Sequence, residues 1–392
     1  MQIRHAPLPI DPDEPFKGDL ISVEKHVANF LTLLNAIDAP ATIALTSPWG
    51  FGKTTFLNML KSKLELDGAK VVSFNAWETD FAQNPLLAFL GEIDSQFADP
   101  ESKLWNKTKS AANTTLKHAI PAAVKLLTLS SVDLKPEIES LFAGSTSAFT
   151  EDLVDSYLTS KGAIEKFREN LSEYISEELI SKENSKKVLY VLVDELDRCR
   201  PTYAVELLEA IKHLFDIDEL VFILALAKNE LCHSIKALYG ADFDSHMYLK
   251  RFIDLEYKLP DPNLDVYISS MIAKHGLYEY FFDRISPLSE HREETIFLKL
   301  FTKCLSSKRR SLRDIEQLFI RFSIVYRLAN HPINQNLFLV LFFLQQDRPK
   351  LYIKYLESSI ETCIIEIIRF VDGTLNCKFD SFSMEMELVF GS

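Results

Sequence analysis

The chain has 392 residues, 47% of them hydrophobic and 25% charged, with a net charge of −13, so it fills ordinary globular cores without disulfides, lipid or collagen-like repetition. At ~150 residues per domain two or three domains are expected, and the acidic balance excludes a phosphate-backbone clamp made by the whole protein, while leaving room for a local basic patch. Five widely spaced cysteines with no CxxC pair suggest neither a disulfide framework nor a zinc site and fit a reducing cytosol.

The leading residues, MQIRHAPLPIDPDEPF, lack the apolar core of a signal peptide. Ser22 to Ile37 carries Val27, Phe30, Leu31, Leu33, Leu34 and Ile37 at helical spacing, which predicts a helix before the first strand. Ala41 to Thr46 is β-branched and reads as that strand; Thr54 to Lys63 resumes helical periodicity, and Ala69 to Phe74 reads as a second strand. From about Pro85 to Ser185 the strand signals vanish and a polar, helix-favouring insertion is expected. Its weakly polar run, His118 to Val132, contains Lys125 and falls short of the ~20 apolar residues of a membrane span. A soluble, cytoplasmic protein without membrane contact is therefore expected.

Lys187 to Val193 is an apolar run of the kind buried on both faces of a parallel sheet. Tyr203 to Phe215 follows as a helix with the stripe Leu207, Leu208, Ile211, Leu214 and Phe215, and Leu220 to Leu226 is another buried strand. This alternation predicts an α/β open sheet with helices on both faces. Beyond Pro260 the pattern is mostly helical, including Ile333 to Gln346, and the alternation of Phe382, Met384, Met386, Leu388 and Phe390 predicts a small terminal β element. The expected division is an N-terminal lead and helix over 1–40, a core over 41–260 with its helical insertion at about 98–185, and a mostly helical lid or partner domain over 261–392.

Glycine is scarce, at 11 residues, so the close pair Gly50 and Gly52 stands out. They lie in Ser47-Pro48-Trp49-Gly50-Phe51-Gly52-Lys53-Thr54, followed by Thr55, between the first strand and its helix. A tight loop feeding a helix N-terminus aims backbone N–H groups and the helix dipole at one spot, which suits a polyphosphate. Lys53 can neutralise phosphate charge, and the Thr54 hydroxyl can ligate Mg²⁺. Ser47 stands where the motif G-x-x-x-x-G-K-[ST] has its first glycine. The third apolar strand runs into Asp194 and Glu195, which a parallel sheet carries toward the same loop. Asp194 is the candidate Mg²⁺ holder, through water, and Glu195 the candidate base for the attacking water.

These residues, with FNAWETD from Phe74, VLYVLVDELDRCRP from Val188 and YLKRFID from Tyr248, resemble the KAP family of P-loop NTPases over about Asp19 to Leu344. The resemblance implies a P-loop NTPase fold of the ASCE type, a three-layer parallel sheet with a helical insertion and a helical C-terminal subdomain that senses nucleotide. It implies ATP (or GTP) with Mg²⁺ as ligands. Asn229 stands near the position of an aspartate in relatives and is a candidate sensor of the γ-phosphate. Arg313, behind the N-cap Ser311 and the cluster Lys308-Arg309-Arg310, is the candidate sensor that closes the helical lid, with a solvated basic face as its other reading. Arg198 either positions the helix after the strand or contacts a neighbouring subunit's nucleotide; Arg251 is a phosphate-facing arginine or a solvated charge. Trp77 is read first as packing.

The function expected is nucleotide hydrolysis driving a conformational or assembly switch. Family context adds bacterial anti-phage defence with a protein effector or as a homo-oligomer. A nucleotide-gated scaffold with little turnover and a nucleic-acid motor using Lys308 to Arg313 are the alternatives, the latter disfavoured by the net charge.

Overall fold

β-branched and apolar runs after Pro40, Gly68, Lys187 and Glu219 line up side by side in the computed structural model, which describes residues 10–19, 21–82, 84–97, 101–112, 147–180, 188–274, 301–305, 310–328 and 335–357. They form β1 (Ala41–Thr46), β2 (Lys70–Asn75), β3 (Leu189–Asp194) and β4 (Leu220–Leu226), joined by a short β5 (Leu255–Lys258). All pairs are parallel, in the order β2-β3-β4-β1-β5. The chain therefore leaves β1, crosses to the far edge, and works back until β4 lies between the strand that feeds the phosphate loop and the strand that ends in carboxylates. Both loops emerge from the carboxyl ends of their strands on one rim of the sheet, where open α/β sheets bind ligands.

Alternate side chains of each strand enter opposite cores. On one face Ile43, Leu45, Tyr190, Leu192, Val221 and Ile223 pack against Val27, Phe30, Phe56 and Leu60 of the helices Val23–Ala36 and Lys53–Leu66. On the other, Val72, Phe74, Val191, Val193, Phe222 and Leu224 meet the helices Pro85–Gln96, Ser147–Ile180 and Pro201–Leu214. The starts of two of these helices follow from their sequences. Asn84 accepts hydrogen bonds from Leu86 N and Leu87 N ahead of Pro85, and Pro201 occupies the first helical position of its helix. All of β4 is buried, consistent with its unbroken apolar run.

The expected insertion is described over 101–112 and 147–180, where it is helical and contributes the fully buried Trp105, Phe167 and Tyr174 to the second core. A third core gathers Ile268, Met271, Phe301, Ile315, Phe319, Phe322, Leu339 and Phe343 from the C-terminal helices. It is locked by Arg310, whose Nη2 reaches both Asp347 carboxylate oxygens at 2.7 Å, whose Nη1 donates to Cys304 O and Leu305 O, and whose guanidinium stacks on Phe343. Ile21 packs against both this core and the first.

Three details differ from the sequence reading. The second strand sits one residue later than expected. The third ends on Asp194, so that carboxylate belongs to the strand itself. β5 was not anticipated, because LEYK alternates charge with bulk and its residues are mostly exposed at a sheet edge, which leaves no buried run to read. The expected terminal β element at 382–390, with Lys308 and Arg309, lies outside the described residues.

Candidate nucleotide-binding site

The loop after β1 has the backbone its glycines foretell. Gly50 and Gly52 have φ of 76° and 88°, in the left-handed region, and Gly52 caps the helix Lys53–Leu66. Ser47, standing in for the motif's first glycine, is buried and is not among the positive-φ residues, so its side chain costs the loop no backbone strain. Its N–H donates to Leu226 O at 3.4 Å, tying the loop to the end of β4. Phe51 is buried, while Pro48 and Trp49 are exposed.

Lys53 is buried and its Nζ donates to Ser47 O at 2.8 Å and Pro48 O at 3.1 Å. Burial pushes its pKa down, and the carboxylates of Asp197 and Asp194 pull it back. The Thr54 hydroxyl lies against the Asp194 carboxylate, whose Oδ1 also accepts from Glu195 N at 2.8 Å. Burial raises the Asp194 pKa, and the neighbouring Thr54 side chain and the Glu195 N–H oppose it. One hydroxyl and one carboxylate meeting at a phosphate loop fit magnesium, which takes one or two protein oxygens and keeps much of its water. Thr55 is half-buried on the first turn of the helix.

Glu195 follows the strand in a left-handed conformation, φ 60°, rare for a residue with a Cβ. Its Oε1 forms an ion pair with Arg198 Nη1 at 3.0 Å, and the Asn75 side chain lies close enough to favour the charged form of the same carboxylate. Burial raises the Glu195 pKa, while Arg198 and Asn75 hold it back.

The C-terminal helices reach the loop directly. Leu312 N donates to Gly50 O at 2.9 Å, and a Cβ placed on Gly50 would sit 2.7 Å from Ser311 Cβ and Oγ and 3.4 Å from Arg313 Cβ. Ser311 and Asp314 form a reciprocal cap, Ser311 N to Asp314 Oδ2 at 3.0 Å and Asp314 N to Ser311 Oγ at 3.1 Å, which fixes where the helix Leu312–Leu328 begins. The exposed Arg313 thus stands beside the loop.

Lys53, Thr54, Asp194, Glu195 and Arg313 are brought to one rim. Asn229 follows β4, whose carboxyl end lies on this rim between β1 and β3; its side chain is exposed on the first turn of the helix Lys228–Tyr239 and makes no hydrogen bond among the described residues. Its neighbour Lys228 pairs with Glu256, which accepts from Thr46 Oγ1 at 3.1 Å. Arg251 lies over the Tyr248 ring, packed on its own turn.

Three site residues escaped the sequence reading as actors. Asn75 lies beside Glu195. Asp197 is buried and accepts from Trp49 Nε1 of the phosphate loop. Trp77 is about half exposed, at 52%, with the Arg198 guanidinium 5.5 Å from its ring centroid, so its indole is not core packing. The signal was the pairing of two tryptophan-bearing motifs, FNAW and SPWG, with DELDR, but only the fold shows which atoms meet.

Comparison with known proteins agrees with this geometry. A 241-residue segment is 23% identical to the "Phage T7 exclusion protein" of Escherichia coli (strain K12), covering 58% of this chain and 31% of that protein, so the chain matches less than a third of the relative's length. Among solved structures, C. elegans PCH-2 aligns over 87% of this chain and 71% of its own at 13% identity and a TM-score of 0.34. The Aeropyrum pernix ORC1 protein in complex with DNA aligns over 90% and 84% at 12% identity and 0.31. These scores are too low to carry an argument, and the fold rests on strand order and loop. Among the described residues no helix is long and apolar enough to cross a membrane. The KAP family P-loop domain matches residues 23–329, spanning the phosphate loop, the carboxylate strand and the helix that docks on them, and the chain belongs to that family of P-loop NTPases.

Proposed function

We propose that the chain binds ATP (or GTP) with Mg²⁺ at the rim and hydrolyses it to drive a conformational or assembly switch. The observation that carries this reading is the meeting of the Thr54 hydroxyl with Asp194 beside the left-handed glycines of the loop. Backbone N–H groups of Trp49 to Thr55 cradle the phosphates, Gly50 and Gly52 letting the main chain approach. Lys53 exchanges the carbonyls of Ser47 and Pro48 for phosphate oxygens. Thr54 and Asp194 would hold Mg²⁺, which would supply positive charge to the phosphates. Glu195 accepts the proton of the attacking water as the water adds to the γ-phosphorus and the β-γ bridging bond breaks. Arg313, on the helix bonded to Gly50, reports the γ-phosphate to the C-terminal helices.

Steady-state phosphate release tests the assignment. Glu195→Gln is expected to bind ATP like the parent and to lose turnover by at least a hundredfold; Lys53→Ala is expected to lose binding. Equal phosphate release by Glu195→Gln and the parent would refute the role of Glu195, and competition by GTP decides the base preference. The ion pair on Glu195 favours a second reading, a slow switch in which binding rather than turnover sets the state. The similarity to a phage exclusion protein suggests anti-phage defence, in which a protein effector would read the switch. Phage plating on cells carrying the parent or Lys53→Ala tests that role, and equal plating efficiencies would refute it.

A further inference from the structure

The carboxylate read as the water-activating base is already engaged. Arg198 Nη1 takes Glu195 Oε1 at 3.0 Å, and the Asn75 side chain lies nearby. Asn75 Oδ1 accepts from Trp77 N at 3.1 Å and Glu78 N at 3.2 Å, which leaves its amide nitrogen as the end that donates. The same two backbone bonds fix the start of the loop that carries Trp77, and the Trp77 ring meets the Arg198 guanidinium. Further out, Arg200 Nε pairs with Asp80 Oδ1 at 2.9 Å and Thr79 Oγ1 bonds the Tyr203 hydroxyl at 3.0 Å. The segment after β2 and the turn after β3 are thus stitched together around one side chain, and that side chain sits at a left-handed residue which nothing in its own chemistry prefers.

We propose that Arg198 is a positioning residue that restrains Glu195, and that Trp77, by holding the guanidinium, sets the strength of the restraint. This rests on the reading of Glu195 as the base. A guanidinium on Oε1 occupies one of the two carboxylate oxygens and pins the side chain, so releasing Arg198 frees Glu195 to reach the attacking water. Trp77 holds it from the solvent side, where the ring is open. The chain then carries its own brake on hydrolysis, because among the described residues neither Arg198 nor Trp77 hydrogen-bonds Lys53 or Thr54, although the Arg198 charge is felt by Lys53.

The test is steady-state ATP hydrolysis by the full chain with Mg²⁺. Arg198→Ala is expected to raise kcat about fivefold, the factor commanded by a partly exposed ion pair, with KM for ATP unchanged. Trp77→Ala is expected to raise kcat about twofold, and Trp77→Phe, which keeps a ring face for the cation, by less than Trp77→Ala. Arg198→Lys, a point charge without the planar fork, should fall between the parent and Arg198→Ala. Adding Glu195→Gln should erase every gain. Unchanged or lower kcat in Arg198→Ala, or equal effects of the two Trp77 variants, would overturn the brake while leaving the base assignment standing. Equal turnover by the parent and Glu195→Gln would overturn the base assignment and the brake with it.

Discussion

Gly50→Ala strikes the joint between the phosphate loop and the C-terminal helices. Alanine at φ 76° costs about 1–2 kcal/mol in the left-handed region. Its Cβ would also lie 2.7 Å from Ser311 Cβ and Oγ, and only the hydroxyl can rotate away, so the start of the helix Leu312–Leu328 must retreat. That retreat stretches the Leu312 N to Gly50 O bond, worth about 1 kcal/mol net. The single variant should therefore lose about 2–3 kcal/mol in urea unfolding and bind ATP more weakly by isothermal titration. Ser311→Gly deletes both clashing atoms for a few tenths of a kcal/mol in capping, because glycine is a tolerated N-cap. The double variant should then be about 1 kcal/mol more stable than the sum of the singles predicts. If the two losses simply add, the helix start does not press on Gly50 and the docking argument is wrong.

The remaining predictions concern the supports of the site. Asp347→Ala leaves the Arg310 guanidinium buried without its carboxylate and should destabilise by about 3 kcal/mol in chemical denaturation, the low end for a broken buried pair because two carbonyls still accept from it; a loss below about 1 kcal/mol would refute it. Trp49→Phe removes the donor to Asp197 Oδ2 when Asp197 Oδ1 is already buried without a partner among the described residues, so thermal unfolding should report a loss of about 1–3 kcal/mol. Glu209 is held above the usual carboxylate range by burial, against the hydrogen bond from Tyr248. Its native state binds the proton more tightly than the unfolded chain does, so stability falls as pH rises from the unfolded pKa through the folded one. Glu209→Gln, which keeps an acceptor for Tyr248, should raise the Tm at pH 7 and lose that advantage below about pH 4, where both states of the parent are protonated. A constant difference across that range would count against the burial argument.

What was legible in the sequence was whatever depends on local pattern. Buried parallel strands need unbroken apolar runs, which is why Leu220–Leu226 was placed to the residue, and a phosphate loop needs glycines at fixed spacing, which Gly50 and Gly52 supply at positive φ. The same logic brought Thr54, Asp194 and Glu195 to one rim, since parallel strands deliver their carboxyl ends to the same edge. What local pattern does not contain is partnership across distant segments. The edge strand Leu255–Lys258 has no buried run because only one of its sides meets the sheet. Asn229 is placed by spacing after β4, but which way its side chain faces depends on what packs beneath the helix's first turn, and there it is exposed. Trp77 looked like packing because large aromatics usually bury; tertiary structure instead laid its ring against Arg198, which pairs with Glu195. Sequence alone determined that this chain has the parts of a nucleotide site. Only the fold decided that a helix from the C-terminal region presses on the loop, because that contact joins atoms from far along the chain; the arginine on the carboxylate is only three residues away, but its pairing depends on the left-handed turn at Glu195, which local pattern does not announce.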